Sequence, residues 1–318
     1  MPHTQAQTLT PPALPAGLTA RPLTLADADD VVAVMHQTER RTLGRELVEA
    51  ADLVADWQRP SFDLATESVG VLDADGALVA YAEVYGGERA EVFVADAVTG
   101  RGVGTALLRW TWVVARARGS AVVGQTVPGT HADALALFAA HGYEHRWTSW
   151  ILRFPDDVPL PPVTLPAGVV LRPLQPGRDE QEAFDVVETA FGEWPDRTPS
   201  TYGDWAARTL SRPGFEPWQL LLAVEGETVV GVAALSLTGD GEGWVDQLAV
   251  ARSHRGRGLG AALLGAGFAE LRQRGATSAN LSTDSRTGAL GLYEHVGMRI
   301  LHAFENWAKR FSPRPPLT

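Results

Sequence analysis

The sequence contains no cysteine, which excludes disulfides, thiolate metal sites and any cysteinyl covalent intermediate. Lysine is almost as scarce. Among 27 basic residues only Lys309 is a lysine, and it lies close to the end of the chain. A P-loop or Schiff-base lysine is therefore not expected. No apolar run reaches the roughly 18 residues that a transmembrane helix needs. Residues 1–17 are polar and proline-rich, with neither the basic flank nor the apolar core of a signal peptide. A cytoplasmic protein without metal or membrane attachment is the expectation. What remains is ample for folding: 318 residues at 45% hydrophobic content suit two domains of about 150 residues each.

The net charge of -11 is uneven. Residues 251–318 carry 10 basic and 4 acidic groups, whereas residues 1–250 carry 17 basic and 34 acidic. An acidic body argues against general nucleic-acid binding, and a local basic segment suits a small anionic ligand or a solvated helix face.

The two halves of the chain resemble each other. Leu18–Leu23 matches Val169–Leu174, both carrying Arg-Pro-Leu. Gly102-Val-Gly104 matches Gly258-Leu-Gly260, and Leu137–Tyr143 matches Leu292–Met298. Three matches in one order at nearly one offset indicate a duplicated domain. Between them lies the proline-rich stretch 155–168, which reads as a semi-rigid extended linker. The expected organisation is therefore a disordered 1–16, a first domain 17–154, the linker 155–168, a second domain 169–311 and a tail 312–318.

Each half has the same coarse order: a short strand, a helix opened by acids (Asp27–Asp30, or Asp179-Glu180), a hairpin and a fourth strand. A glycine-rich loop then leads into a long apolar helix, followed by a strand, a short helix and a final strand. The fold class is α+β, each half a mixed, mostly antiparallel sheet flanked by helices.

The stretch Val250 to Leu264 is the most informative. Strand, glycine loop and helix N-terminus make an anion site, because unpaired backbone N–H groups point at the ligand. Gly256, Gly258 and Gly260 permit close backbone approach, and Arg255 and Arg257 add charge-assisted bonds to phosphate oxygens. A Walker loop is excluded, since no Gly-Lys-Ser/Thr follows. A dinucleotide fingerprint is formally present, but Ala279 and Asn280 stand where its ribose-binding acid belongs. The third reading is Arg255-x-x-Gly258-x-Gly260. A merely tight βα turn is the bland alternative.

On that loop, the Arg-Pro-Leu strand, the hairpin, Asp246–Val250 and Ala289–Met298, nearly the whole of both halves resembles the GCN5-related N-acetyltransferases, in the tandem two-domain form found in actinobacteria. The resemblance implies acetyl-CoA as acyl donor, lying in a V-shaped opening between the fourth and fifth strands. Its pantetheine would pair with the backbone of Leu248, Ala249 and Val250. Its pyrophosphate would lie at Arg255, Gly256, Arg257, Gly258, Leu259, Gly260 and Ala261. The implied activity is acetyl transfer to a small primary amine by direct attack in a ternary complex, in a monomer or homodimer. A non-catalytic acyl-CoA sensor, or a longer acyl donor, is the alternative.

The resemblance also places Tyr293 beside the sulfur as general acid; a half-buried core tyrosine is the bland alternative. The family's glutamate base does not carry over, because Trp244 occupies its position. Strand alternation puts Glu242, Trp244 and Asp246 on one face, making Asp246 the first candidate base and Glu242 the second, ahead of His254 and His295. The acceptor cleft is expected among Trp194, Tyr202, Trp205, Trp218 and Trp244, with Phe191, Phe215, Glu193, Asp196 and Asp204 nearby. Aromatics with acids suit a cationic amine, and equally suit a core. In the first half Thr99, Phe138 and Ala90 replace Arg255, Tyr293 and Asp246. Chemistry is therefore expected in the second half only, with Arg101, Gly102 and Gly104 as remnants of a CoA site or as requirements of the turn.

Overall fold

The computed structural model describes residues 11–311 apart from 60, 194–198, 213 and 240. Residues 1–10 and 312–318, expected as disordered ends, lie outside the described residues. The chain divides into two compact units, one of Met1–Trp147 and Phe304–Thr318, the other of Thr148–Ala303.

The first half supplies β1 (Thr19–Arg21), α1 (Ala28–Leu43), α2 (Ala50–Trp57), α3 (Leu64–Glu67), β2 (Ser68–Leu72), β3 (Leu78–Tyr85) and β4 (Arg89–Val94). After them come α4 (Val103–Ala117), β5 (Val122–Pro128), α5 (Ala132–Ala140) and β6 (Glu144–Phe154). The second half supplies β7 (Val169–Pro173), α6 (Glu180–Phe191), α7 (Tyr202–Thr209), β8 (Leu220–Glu225), β9 (Thr228–Leu237) and β10 (Glu242–Val250). It ends with α8 (Leu259–Gln273), β11 (Ser278–Asp284), α9 (Leu290–Val296) and β12 (Arg299–Arg310).

The final strands change places. In the first unit the sheet order is β1-β2-β3-β4-β5, and β5 takes as its next partner residues 304–310 of β12. In the second unit the order is β7-β8-β9-β10-β11, and β11 pairs with residues 149–154 of β6. The sequence boundaries at 154 and 311 are corrected accordingly. Each of these sheets is antiparallel except for one parallel pair, β4 with β5 and β10 with β11.

The repeated Arg-Pro-Leu has a local reason. Arg21 donates two hydrogen bonds to the Asp27 carboxylate, at 2.6 and 2.9 Å, and Arg172 does the same to Asp179, at 2.5 and 2.9 Å. A forked guanidinium matched to a carboxylate fixes the first strand against the helix that follows it.

Side chains alternate across the second sheet. On β9, Val230, Ala233 and Leu235 join the core under α8 and α9, whereas Val229, Val232 and Ala234 join the core under α6 and α7. The stretch 155–168 is extended as expected but is not a free spacer: Val158, Leu160 and Leu165 pack into the α8 core. A Cβ on Gly265 of α8 would lie 3.0 Å from the Pro161 carbonyl, so this glycine permits the seating. Leu14, within the stretch expected as disordered, packs on the core of the first unit. No helix among the described residues is long and apolar enough to cross a membrane.

Candidate active site

In the second unit β10 and β11 run parallel from Glu242↔Ser278 to Val245↔Leu281, and there the ladder stops. Both strands continue: β11 stays paired with β6 to Asp284, and β10 stays paired with β9 to Val250. The two strands therefore part after Val245. The backbone of 246–250 loses its β11 partner and forms one arm of a fork. A parted parallel pair leaves main-chain donors and acceptors for a ligand to use.

A β-bulge sits at the apex. The β9–β10 register shifts between Val245 and Gln247, so Asp246 and Gln247 both turn to the α7 side. A bulge places two successive residues on one side where plain alternation would separate them. Both line a cavity of about 420 Å³ with Arg208, Arg212, Phe215 and Gln219. Asp246 accepts a hydrogen bond from Ser236 Oγ at 3.0 Å, and its other oxygen lies 3.5 Å from Arg212. Asp246 is 43% exposed at the cavity wall, where partial desolvation raises its carboxyl above the ordinary value against the opposing pull of Ser236 and Arg212.

Tyr293 lies on the opposite side of the sheet. It belongs to the core under α8 and α9, with Thr283 of the β11 arm beside its hydroxyl. Burial raises the phenol above its usual value, so it keeps its proton. The fork thus has a carboxylate on one side and a protonated phenol on the other.

Beyond Val250 the loop delivers the expected anion cradle. Gly256 and Gly258 adopt φ of 73° and 80°, conformations that L side chains rarely adopt, and Gly258 is the cap of α8, with no side chain to satisfy the first N–H groups. A Cβ on Gly260 would sit 3.3 Å from Leu292, so the third glycine lets α9 approach α8. Leu248 and Val250 face the α8 side and Ala249 the α6 side, their backbone lying on the parted arm. Arg255 does not stand free: its Nε donates to the Val250 carbonyl at 2.9 Å and its Nη1 to Glu193 at 2.7 Å. Arg257 lies 3.9 Å from Glu225, which also meets His254 at 3.1 Å.

Other expected residues are placed elsewhere. Glu242 is bound by Arg153 at 2.6 Å, and Arg153 also holds Asn280 at 2.9 Å. The carboxylate is thus committed to an ion pair, and Glu242 does not line the cavity. Trp205 is buried, and its Nε1 donates to Gln247 Oε1 at 3.0 Å. Tyr202 is exposed and packs edge-on against Phe184. Trp218 donates to Glu216 and packs under Arg274 against the α8 core, away from Trp205. Of the expected aromatics among the described residues, Phe215 lines this cavity, and Trp205, Tyr202, Trp218 and Trp244 do not. Trp194 and Asp196 lie outside the described residues.

The first unit repeats the frame. β4 meets β5 at one pair only, Arg89↔Gly124, and Gly100 and Gly102 adopt φ of 76° and 89° before α4. Arg101 stands between them; Gly104, like Gly260, faces the following helix, where a Cβ would lie 3.5 Å from Leu137. Thr99 bonds back to Ala95, and Phe138 is a core residue stacked on Tyr143. Thr99, Phe138 and Ala90 stand where the second half has Arg255, Tyr293 and Asp246, but the first half keeps carboxylates at other positions of the frame. Glu83 is buried on β3 and Glu91 half-buried on β4, with Trp57 donating to Glu83 at 2.7 Å and Tyr81 to Glu91 at 3.3 Å. The offset that aligns Val94 with Val250 sets Glu91 on Gln247, a signal present in the sequence.

Residues 181–298 match the family model described as Acetyltransferase (GNAT) family. A mycothiol acetyltransferase of Thermomonospora curvata is 36% identical over 230 residues, covering 70% of this chain and 76% of its own length. The chain belongs to the acetyltransferase (GNAT) family. The crystal structure of a GCN5-related N-acetyltransferase from Sphaerobacter thermophilus superposes with a TM-score of 0.82 at 31% identity, covering 96% of this chain and 99% of that one. A tandem GNAT protein from the clavulanic acid biosynthesis pathway superposes with a TM-score of 0.70 at 16% identity, covering 94% of this chain and 100% of that one, a likeness of fold. The chain is thus a tandem GNAT acetyltransferase, α+β in both units.

Proposed function

We propose that the second unit transfers an acetyl group from acetyl-CoA to a primary amine by direct attack in a ternary complex. The observation that carries this reading is the parting of β10 from β11 after Val245, leading straight into the uncapped, glycine-turned N-terminus of α8. The parted backbone of Leu248–Val250 suits the pantetheine amides, and the N–H groups from Gly256 to Ala261 with Arg255 and Arg257 suit the pyrophosphate. Glu193 must then yield Arg255 to phosphate, an exchange between exposed groups.

The donor supplies an activated thioester carbonyl: a C–N bond forms and a C–S bond breaks. Asp246 takes the proton that the amine must lose. Its raised carboxyl is a better base than an ordinary aspartate. Tyr293 gives its proton to the departing thiolate. A phenol near pKa 10 protonates a thiolate near 8.5 at a cost of about 2 kcal/mol; burial, which raises the phenol further, increases that cost. Asp246 and Tyr293 stand on opposite sides of the sheet, which suits an amine entering from one side and a thiol leaving from the other.

An amine panel assayed for free CoA tests the reading, with the non-acetylated form of mycothiol included because relatives carry that name. CoA release with at least one amine, lost in Asp246→Asn, is the expected result. Acetyl-CoA binding without CoA release from any amine would favour a sensor instead.

A further inference from the structure

The cavity beside Asp246 is richer in donors than in acceptors, and the amide orientations are fixed by their partners. Trp205 Nε1, which can only donate, takes Gln247 Oε1 at 3.0 Å. The Glu216 N–H takes Gln219 Oε1 at 2.8 Å. Each glutamine therefore has its NH₂ left over. Gln219 is only 7% exposed, lines the cavity, and its amide nitrogen has no partner among the described residues. The free NH₂ opens onto the cavity rather than being sealed in the core, so an acceptor on a ligand can reach it.

Charge points the same way. Arg212 is spent on the Leu235 carbonyl at 2.8 Å and on Asp246. Arg208, on the same wall, bonds Ser200 Oγ at 3.1 Å and has no carboxylate partner among the described residues. Among the described residues that line the cavity, two guanidiniums stand against one carboxylate, a positive excess. An amine that was only a cation, as the aromatic and acidic sequence around 191–218 suggested, would leave Arg208 and both amides unanswered.

We infer that the acceptor is an amine that also bears a carboxylate, received by Arg208 with the amide groups of Gln219 and Gln247 while its amino group faces Asp246. This rests on the second unit being the transferring centre. A guanidinium fork binds a carboxylate in two parallel bonds, and the glutamine donors reach lone pairs that the fork leaves open. The spacing between Arg208 and Asp246 then selects amines by the distance between their two charged ends.

The test uses the full chain with CoA present, so that binding is read without turnover. Matched amines are offered as free acid and as carboxamide, alanine with alaninamide and alanylglycine with its amide, and glucosamine serves as a neutral hydroxylated amine. Binding is measured by saturation-transfer NMR and calorimetry. Free acids should bind at least tenfold more tightly than their amides. Arg208→Gln, a change at an exposed position, should erase that preference while leaving amide binding and the thermal midpoint unchanged. Equal or tighter binding of the amides or of glucosamine, or a preference that survives Arg208→Gln, would overturn the assignment. A preference for acids that depends on Arg208 upholds it even when no CoA is released, an outcome that would instead count against the transfer reading.

Discussion

Glu83 on β3 and Glu91 on β4 stand directly opposite each other in an antiparallel ladder, Glu83 buried and Glu91 half-buried. Like charges so placed cannot both ionise cheaply, so burial and the neighbouring carboxylate push Glu83 up to about 7. Asp56, Arg59, Arg89, Tyr81 and Tyr85 surround the pair, the two arginines resting over the Tyr85 ring.

The folded first unit therefore holds a proton that the unfolded chain releases at ordinary carboxylate pH. Its stabilising effect is complete below about pH 4.5 and is lost as pH rises through about 7. Glu83→Gln can still accept from Trp57 and has no charge to bury. By pH 8 it should be more stable than the parent by up to about 3 kcal/mol, the difference vanishing near pH 4. Urea unfolding at the two pH values measures this. A parent whose stability does not fall between pH 5 and 8 would contradict it.

Asp27 titrates in the opposite sense. Arg21, with the Thr24 N–H and hydroxyl, holds its carboxyl down to about 2. The bridge stabilises the fold above the unfolded value near 3.8 and is lost as pH falls toward 2. Arg21 is 41% exposed, so solvent discounts the gain. Asp27→Asn should cost about 1–2 kcal/mol at pH 7 and almost nothing at pH 2, as thermal melts at both values would reveal.

For the phosphate loop, Arg255→Ala should weaken acetyl-CoA binding about tenfold, since a charged hydrogen bond contributes roughly 1.5–3 kcal/mol. Glu193→Gln removes the carboxylate that holds Arg255 and should tighten binding. Calorimetry on both variants gives the two signs. Unchanged affinity in the Arg255→Ala/Arg257→Ala double variant would remove these side chains from the site.

Much of this was legible in the sequence. Duplication, the fork-bearing fourth strand and the glycine loop depend on local spacing, which the residues carry openly. The exchange of β6 and β12 was not legible, because a strand's pattern specifies a buried face but not its neighbour. The same holds for Glu83 and Glu91, eight positions apart and brought together by a hairpin register. The cleft aromatics misled for a related reason. The turn at Pro217–Gln219 sends Trp218 toward α8 and Gln219 into the cavity, and neighbours in sequence part company there. Alternation put Asp246 on the correct side but could not foresee the bulge that brings Gln247 with it.

The assignment of chemistry to the second unit is tested most directly by CoA release from Tyr293→Phe/Asp246→Ala with an accepted amine. Turnover should fall by at least a hundredfold, from the loss of acid and base together, and Gly102→Asp in the otherwise unaltered protein should leave turnover near the parent value. Substantial turnover in the double variant, abolished by adding Gly102→Asp, would show that the first unit performs the transfer.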